Sequence, residues 1–126
     1  MEKIGDRITV RLANQGSFIS GSANLRPNFE ALLTRVGKSL SASKGKVRVE
    51  GHTDNVPVAF SERFKSNWDL SAARSASVAE FFIDRSGFEE SNITVAGFAD
   101  TRPIAGNDSA AGRARNRRIE VIVDGK

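Results

Sequence analysis

His52, Thr53 and Asp54 stand together where the alternating stretch from Val47 runs out. An imidazole, a hydroxyl and a carboxylate at one strand end could be fragments of a hydrolase. Nothing completes one: there is no Gly-x-Ser-x-Gly elbow, His52 is the only histidine, and the acids are dispersed without metal-ligand spacing. Zero cysteines remove a disulfide framework, a thiolate zinc site and a cysteine nucleophile in one step. No Gly-rich phosphate loop is present. The chain is therefore expected to have no catalytic residue, no metal and no cofactor, with His52 hydrogen-bonded and orienting its loop.

The second feature is an arginine on an apolar face. When residues 66–87 are placed at about 100° intervals, Leu70, Val78 and Phe81 form a stripe and Arg74 falls in its middle. Arg74 can snorkel past the stripe to water, its stem covering the phenylalanines. Alternatively it meets an acid. In a strand-loop-helix unit the strand's C-terminal end lies beside the first half of the helix, which makes Asp54 the natural neighbour. Such a pair is either an internal salt bridge or a receptor for a zwitterion, aspartate accepting from an ammonium while arginine holds a carboxylate bidentately. On spacing alone the internal bridge is the ordinary outcome, because buried charges usually find partners within the protein.

The run Arg113, Arg115, Arg117, Arg118 carries much of the net charge of +4 and the pI near 10.0. It lacks interleaved aromatics, and Ile119 and Val121 beside it read as core, so any phosphate binding would be weak and non-specific. These arginines are instead expected to line a polar cleft and satisfy loop carbonyls. No nucleic-acid partner is expected. Trp68 could be a stacking surface, although one tryptophan beside apolar helices is more commonly core.

Position depends on the elements. Ile8, Val10 and Leu12 alternate with Arg7, Thr9 and Arg11, a half-buried strand. Gly16, Gly21 and their serine neighbours mark an irregular connection. Pro27 opens a helix to about Ser41 whose Phe29, Leu32, Leu33, Val36 and Leu40 share a face. After Lys44, Gly45 and Lys46, Val47 and Val49 alternate in a second strand that delivers residues 51–54 to the sheet edge. Ser66 and Asp69 form a capping signature for the second helix, which ends near Gly87. Ile93 and Val95 begin a third strand toward Phe98; a polar loop or short helix precedes a last strand bearing Ile119, Val121 and Val123. The expectation is one α+β domain over residues 1–126, a two-layer sandwich of a four-stranded mixed sheet with two main helices on one face, and frayed ends at 1–6 and 124–126.

Taken together, Val49-Glu50-Gly51-His52-Thr53-Asp54-Asn55, Ser66 to Arg74, Gly97-Phe98-Ala99-Asp100-Thr101-Arg102-Pro103 and Gly112 to Glu120 resemble the OmpA-like peptidoglycan-binding family. Four motifs in order cover most of the chain, where His-Thr-Asp alone would be weak. The resemblance implies that Asp54 and Arg74 hold the zwitterionic end of meso-diaminopimelate in the peptidoglycan stem, which reverses the preference for an internal bridge. It implies further that Thr53, Asn67, Leu70, Ser71, Asn116 and Arg117 complete the pocket. The Ser-Asn-Trp-Asp-Leu-Ser wording, the insertion from Pro57 to Lys65 and Gly16-Ser17-Phe18 before Gly21-Ser22-Ala23 are similar to flagellar stator B subunits of the MotB and PomB type. That likeness implies a periplasmic, dimeric domain tied to a stator A subunit through an N-terminal membrane helix. No such helix and no signal-like stretch follows Met1, so Met1 is expected to be an artificial start. The alternative within the family is the wall-anchoring extension of a type VI secretion protein of the TssL type.

Overall fold

Strands that alternate valine and isoleucine with charged residues require a sheet with one apolar face, and helices with a single apolar stripe must cover it. The computed structural model, which describes residues 2–5, 7–14, 17–18, 22–41, 46–58 and 64–124, has that architecture. Strands β1 (Glu2–Ile4), β2 (Arg7–Ala13), β3 (Val47–His52), β4 (Ile93–Gly97) and β5 (Arg118–Asp124) lie side by side in the order β1-β2-β5-β3-β4. Only β3 and β4 run parallel; the other neighbours are antiparallel. The parallel pair is joined through helix α2 (Asn67–Ser86), as a parallel connection requires. Helix α1 (Pro27–Ser41) packs on α2, and α2 packs on β3 and β4. A third, short helix, α3 (Ala110–Asn116), leads into β5. No helix among the described residues is long and apolar enough to cross a membrane.

The α+β class and the four expected strands are present, with one correction. The N-terminal stretch expected to fray carries β1, which pairs Glu2 to Ile4 with Thr9 to Arg7 and makes the sheet five-stranded. Three residues are too few to show alternation; what recruits them is the row of unpaired N–H and C=O groups along the outer edge of β2. Asp124, also expected to fray, pairs with Arg7 at the end of β5. The connection around Gly16 and Gly21, the break at Lys44 and Gly45, residues 59–63 of the insertion, and Gly125 and Lys126 lie outside the described residues.

Register explains the core. Val10 and Val49 both stand opposite Val121, so three valines form a row across β2, β5 and β3. Phe29, Leu33 and Leu40 of α1 close on this face with Val78, Phe81 and Phe82 of α2. Burying each such side chain contributes about 1.5–3 kcal/mol. Ser66 caps α2 by accepting from the Asp69 N–H, and Gly87 stops it in the left-handed conformation at φ 73°. Gly51 lets α2 approach the sheet, since a Cβ there would sit 2.5 Å from Ser75 Oγ. Alternation sends Arg48, Glu50 and His52, with Arg118 and Glu120, to the opposite face.

Candidate functional site

The strand end, the first turns of α2 and the end of α3 converge on Asp54. Thr53 donates its N–H to the Ala99 carbonyl at 2.8 Å and its Oγ1 hydrogen to the Asp54 carbonyl at 2.8 Å. The Asp54 carboxylate is buried. Its Oδ1 accepts the Val56 N–H at 3.0 Å, turning the chain sharply after β3, and its Oδ2 accepts from Arg117 Nη1 at 2.5 Å. Asn67 fastens this turn to α2, donating Nδ2 to the Val56 carbonyl at 3.0 Å and, at 3.5 Å, to that of Asp54. Arg117 follows directly on α3, and its side chain is 40% exposed.

Arg74 is half-buried on α2, as the helix spacing predicts, but it is not in the internal bridge with Asp54 that spacing alone favours. Its Nε donates to the Ser22 carbonyl at 2.9 Å, and its guanidinium lies over the Phe18 ring, 4.7 Å from the centroid. Among the described residues it makes no ion pair with Asp54; that carboxylate is taken by Arg117. Burial first, and the neighbouring Arg117 second, lower the Arg74 pKa below its usual value. Arginine remains charged despite such a shift. The site thus brings the Arg74 guanidinium near that of Arg117, which is paired with Asp54, in partial burial. Sequence reasoning missed Phe18 and the Ser22 carbonyl because they approach from 52 residues or more upstream, a separation that helix and strand periodicity does not address.

The other expected pocket residues divide. Leu70 is half-buried in the first turns of α2. Ser71 and Asn116 are fully buried and spend their polar atoms on the protein. Ser71 Oγ donates to the Trp68 carbonyl and accepts the Ala99 N–H at 3.1 Å. This holds Ala99 at a positive φ of 52°, which a residue with a Cβ rarely adopts. Asn116 Oδ1 accepts the N–H groups of Ile104 and Ala105, while Nδ2 donates to Ala105 O and Asn107 Oδ1. Both therefore position the loop from 98 to 109 rather than face a ligand. Trp68, expected in the core, is 54% exposed. Two members of the arginine run satisfy loop carbonyls as the cleft reading expects, Arg113 donating to Asn107 O and Arg118 to Arg102 O and Asn116 O, while Arg117 pairs with Asp54 and Arg115 is exposed.

A second ionic cluster lies on the other side of the sheet. Glu50, His52, Arg118 and Glu120 are all buried there. Arg118 Nε donates to Glu120 Oε2 at 2.5 Å, Arg48 Nε to Glu50 Oε2 at 2.6 Å, and Arg11 lies 3.6 Å from Glu120. His52 Nε2 is 3.3 Å from Glu50 Oε1, and the ring stacks on Phe98. Desolvation, then Arg118, lowers the His52 pKa below 6.5 against the opposing pull of Glu120 and Glu50, which favours the neutral ring. Ligand atoms of Glu50, His52 and Glu120 lie within 4.8 Å of one another. Both carboxylates already hold guanidiniums, however, and an incoming cation would be repelled by three arginines. This cluster is an ion-pair network, and His52 belongs to it as well as to its loop.

The sequence profile described as the OmpA family matches residues 17–117. The chain is 33% identical over 107 residues to Motility protein B of Bacillus subtilis, covering 84% of this chain and 41% of that protein. It is 36% identical over 109 residues to the peptidoglycan-binding protein ArfA of Mycobacterium tuberculosis, covering 86% of this chain and 32% of that one. The chain thus spans half or less of each of these relatives. Among solved structures, the cell wall anchor of the type VI secretion system from Pseudomonas aeruginosa superposes with a TM-score of 0.92 at 42% identity, covering 99% of this chain and 86% of the other.

Proposed function

Because the chain belongs to the OmpA family, we propose that it is a non-catalytic domain that binds peptidoglycan through the meso-diaminopimelate of the stem peptide and so anchors a membrane complex to the cell wall. The observation that carries this reading is the charge surplus at the site. Arg74 and Arg117 stand close enough for one to depress the pKa of the other, and among the described residues Asp54 is the carboxylate paired there. Diaminopimelate ends in an ammonium and a carboxylate on one carbon. Its carboxylate relieves the repulsion between the two guanidiniums, and its ammonium takes a remaining lone pair of Asp54, so that every charge gains a partner. Leu70 and the Asn67-braced turn form the adjoining wall. Ser71, Asn116 and Thr53 hold that wall in place.

The reading implies a periplasmic location. The complex we favour is a flagellar stator, with the domain acting as a homodimer joined to a stator A subunit, in keeping with the similarity to Motility protein B. The second reading is a type VI secretion anchor, favoured by the 42% identity to the Pseudomonas protein. Both use the same wall-binding chemistry. Incubation with purified sacculi tests the common core: the domain should cosediment with the wall and release no soluble muropeptides above a denatured control. Release of muropeptides would overturn the non-catalytic reading, and failure to cosediment would overturn wall binding.

A further inference from the structure

Glu50, His52, Arg118 and Glu120 are buried on a face of the sheet that neither long helix covers, since α1 and α2 contribute to the core on the other one. The uncovered face of such a sheet is ordinarily flat and wet. Here the ion-pair network forms a dry floor to a cavity of about 380 Å3, at the small end of the range for ligand clefts. Ile4 of β1, 68% exposed, and Ile104 of the loop before α3, 40% exposed, border it together with Pro103 and give it an apolar rim. Arg102, exposed beside them, sets its guanidinium 3.8 Å from the Phe98 ring centroid and has no ion pair among the described residues.

The charge around this cavity does not balance. Arg7, Arg11, Arg102 and Arg118 line it against Glu50 and Glu120. With the partners just outside it, Arg48 on Glu50 and Asp124 on Arg7, five guanidiniums meet three carboxylates among the described residues. Glu120 is shared by Arg11 and Arg118, and Arg102 has no acid. A floor removed from water lets such a surplus act more strongly on an incoming anion. Positive charge alone would suit any small anion, but the exposed isoleucines call for aliphatic surface as well. We propose that this cavity docks a segment of a partner protein in which an aliphatic side chain is flanked by acidic ones, the carboxylates meeting Arg102 and Arg11 and the aliphatic group lying between Ile4 and Ile104. The cavity is on the side of the sheet away from Arg74, so the proposal goes beyond the stem-peptide reading and does not depend on it.

The test uses three N-acetylated, C-amidated peptides, followed by calorimetry and by methyl NMR of Ile4 and Ile104. One is Gly-Glu-Leu-Glu-Gly, one has lysine at both acidic positions, and one has glycine in place of leucine. The acidic leucine peptide should bind at least about fivefold more tightly than the lysine peptide, the scale of one or two exposed ion pairs. It should also bind about threefold or more tightly than the glycine peptide and shift both methyl signals. Arg102→Gln and Ile104→Ser, both at exposed side chains, should each weaken it about two- to fivefold. A saturating amount of this peptide should leave cosedimentation with sacculi unchanged. No binding, equal affinity for the acidic and lysine peptides, shifts confined to other residues, or affinity kept when both substitutions are combined would overturn the proposal. Equal affinity for the leucine and glycine peptides would overturn it too, leaving a surface for small anions.

Discussion

Asp54 with Arg74 and Arg117 on one side, and Glu50, His52, Arg118 and Glu120 on the other, draw on the same strand ends and the same residue types, yet they are built for opposite ends. In the second cluster each guanidinium has a carboxylate partner, and Arg118 with Glu120 is almost wholly removed from water. In the first, Arg74 has, among the described residues, a carbonyl and an aromatic ring, and Arg117 stays 40% exposed. Closed pairing makes a structural brace, whereas an open cation beside a paired carboxylate is what the proposed receptor requires. Sequence position barely separates the two: Arg117, which ends α3, and Arg118, which begins β5, are adjacent yet serve different clusters.

Removing one arginine from each cluster should separate these roles. Arg118→Ala strands Glu120 in burial and should cost about 3–5 kcal/mol, read as a fall in the denaturant midpoint. Arg117→Ala should cost less, about 1–3 kcal/mol, since Asp54 is buried but keeps the Val56 N–H and water can enter where the 40% exposed guanidinium stood. The same Arg117→Ala change should weaken stem-peptide binding about tenfold, the value of one charge-assisted hydrogen bond. Equal stability losses from the two variants would erase the distinction between brace and receptor.

Two smaller effects sharpen it. Ser71→Ala removes the acceptor for the buried Ala99 N–H and should cost about 1–3 kcal/mol in stability, with affinity following only as the loop from 98 to 109 loosens. An affinity loss larger than the stability loss would mean that Ser71 faces the ligand after all. Acidification probes the brace. A histidine whose folded pKa lies below its unfolded value of about 6.5 binds its proton more readily when unfolded. Its contribution is therefore fully present above that pH and declines as pH falls through 6.5 toward the folded pKa. His52→Gln should flatten this part of the stability profile, measured as thermal midpoint against pH between about 7 and 5.

Much of the frame was legible because it is periodic. Valine alternation located β3 and β5, Pro27 and the three-and-four spacing fixed α1, and Ser66 with Gly87 bounded α2. The conflict at Arg74 pointed to the site for a physical reason, a charge where the helix needs an apolar residue. What periodicity could not show was pairing across distance. Asp54 and Arg117 are 63 residues apart, and their ion pair depends on α3 ending where β3 ends, a consequence of β5 lying between β2 and β3. Arg74 and Ser22 are 52 apart and meet only once the segment before α1 folds over α2. β1 escaped because three residues carry no period, and Trp68 because residue type alone does not place a side chain in the core.

The central proposal, that Arg74, which makes no ion pair among the described residues, takes a ligand carboxylate, is tested most directly by calorimetry with matched stem peptides containing meso-diaminopimelate or lysine. Lysine supplies the ammonium for Asp54 but no carboxylate for Arg74. The account predicts at least about thirtyfold tighter binding of the diaminopimelate peptide, the low end of the about 2–5 kcal/mol lost when one side of a desolvated charge pair is truncated. Arg74→Ala should abolish most of that preference. Equal affinity for the two peptides, or a preference that persists in Arg74→Ala, would contradict it.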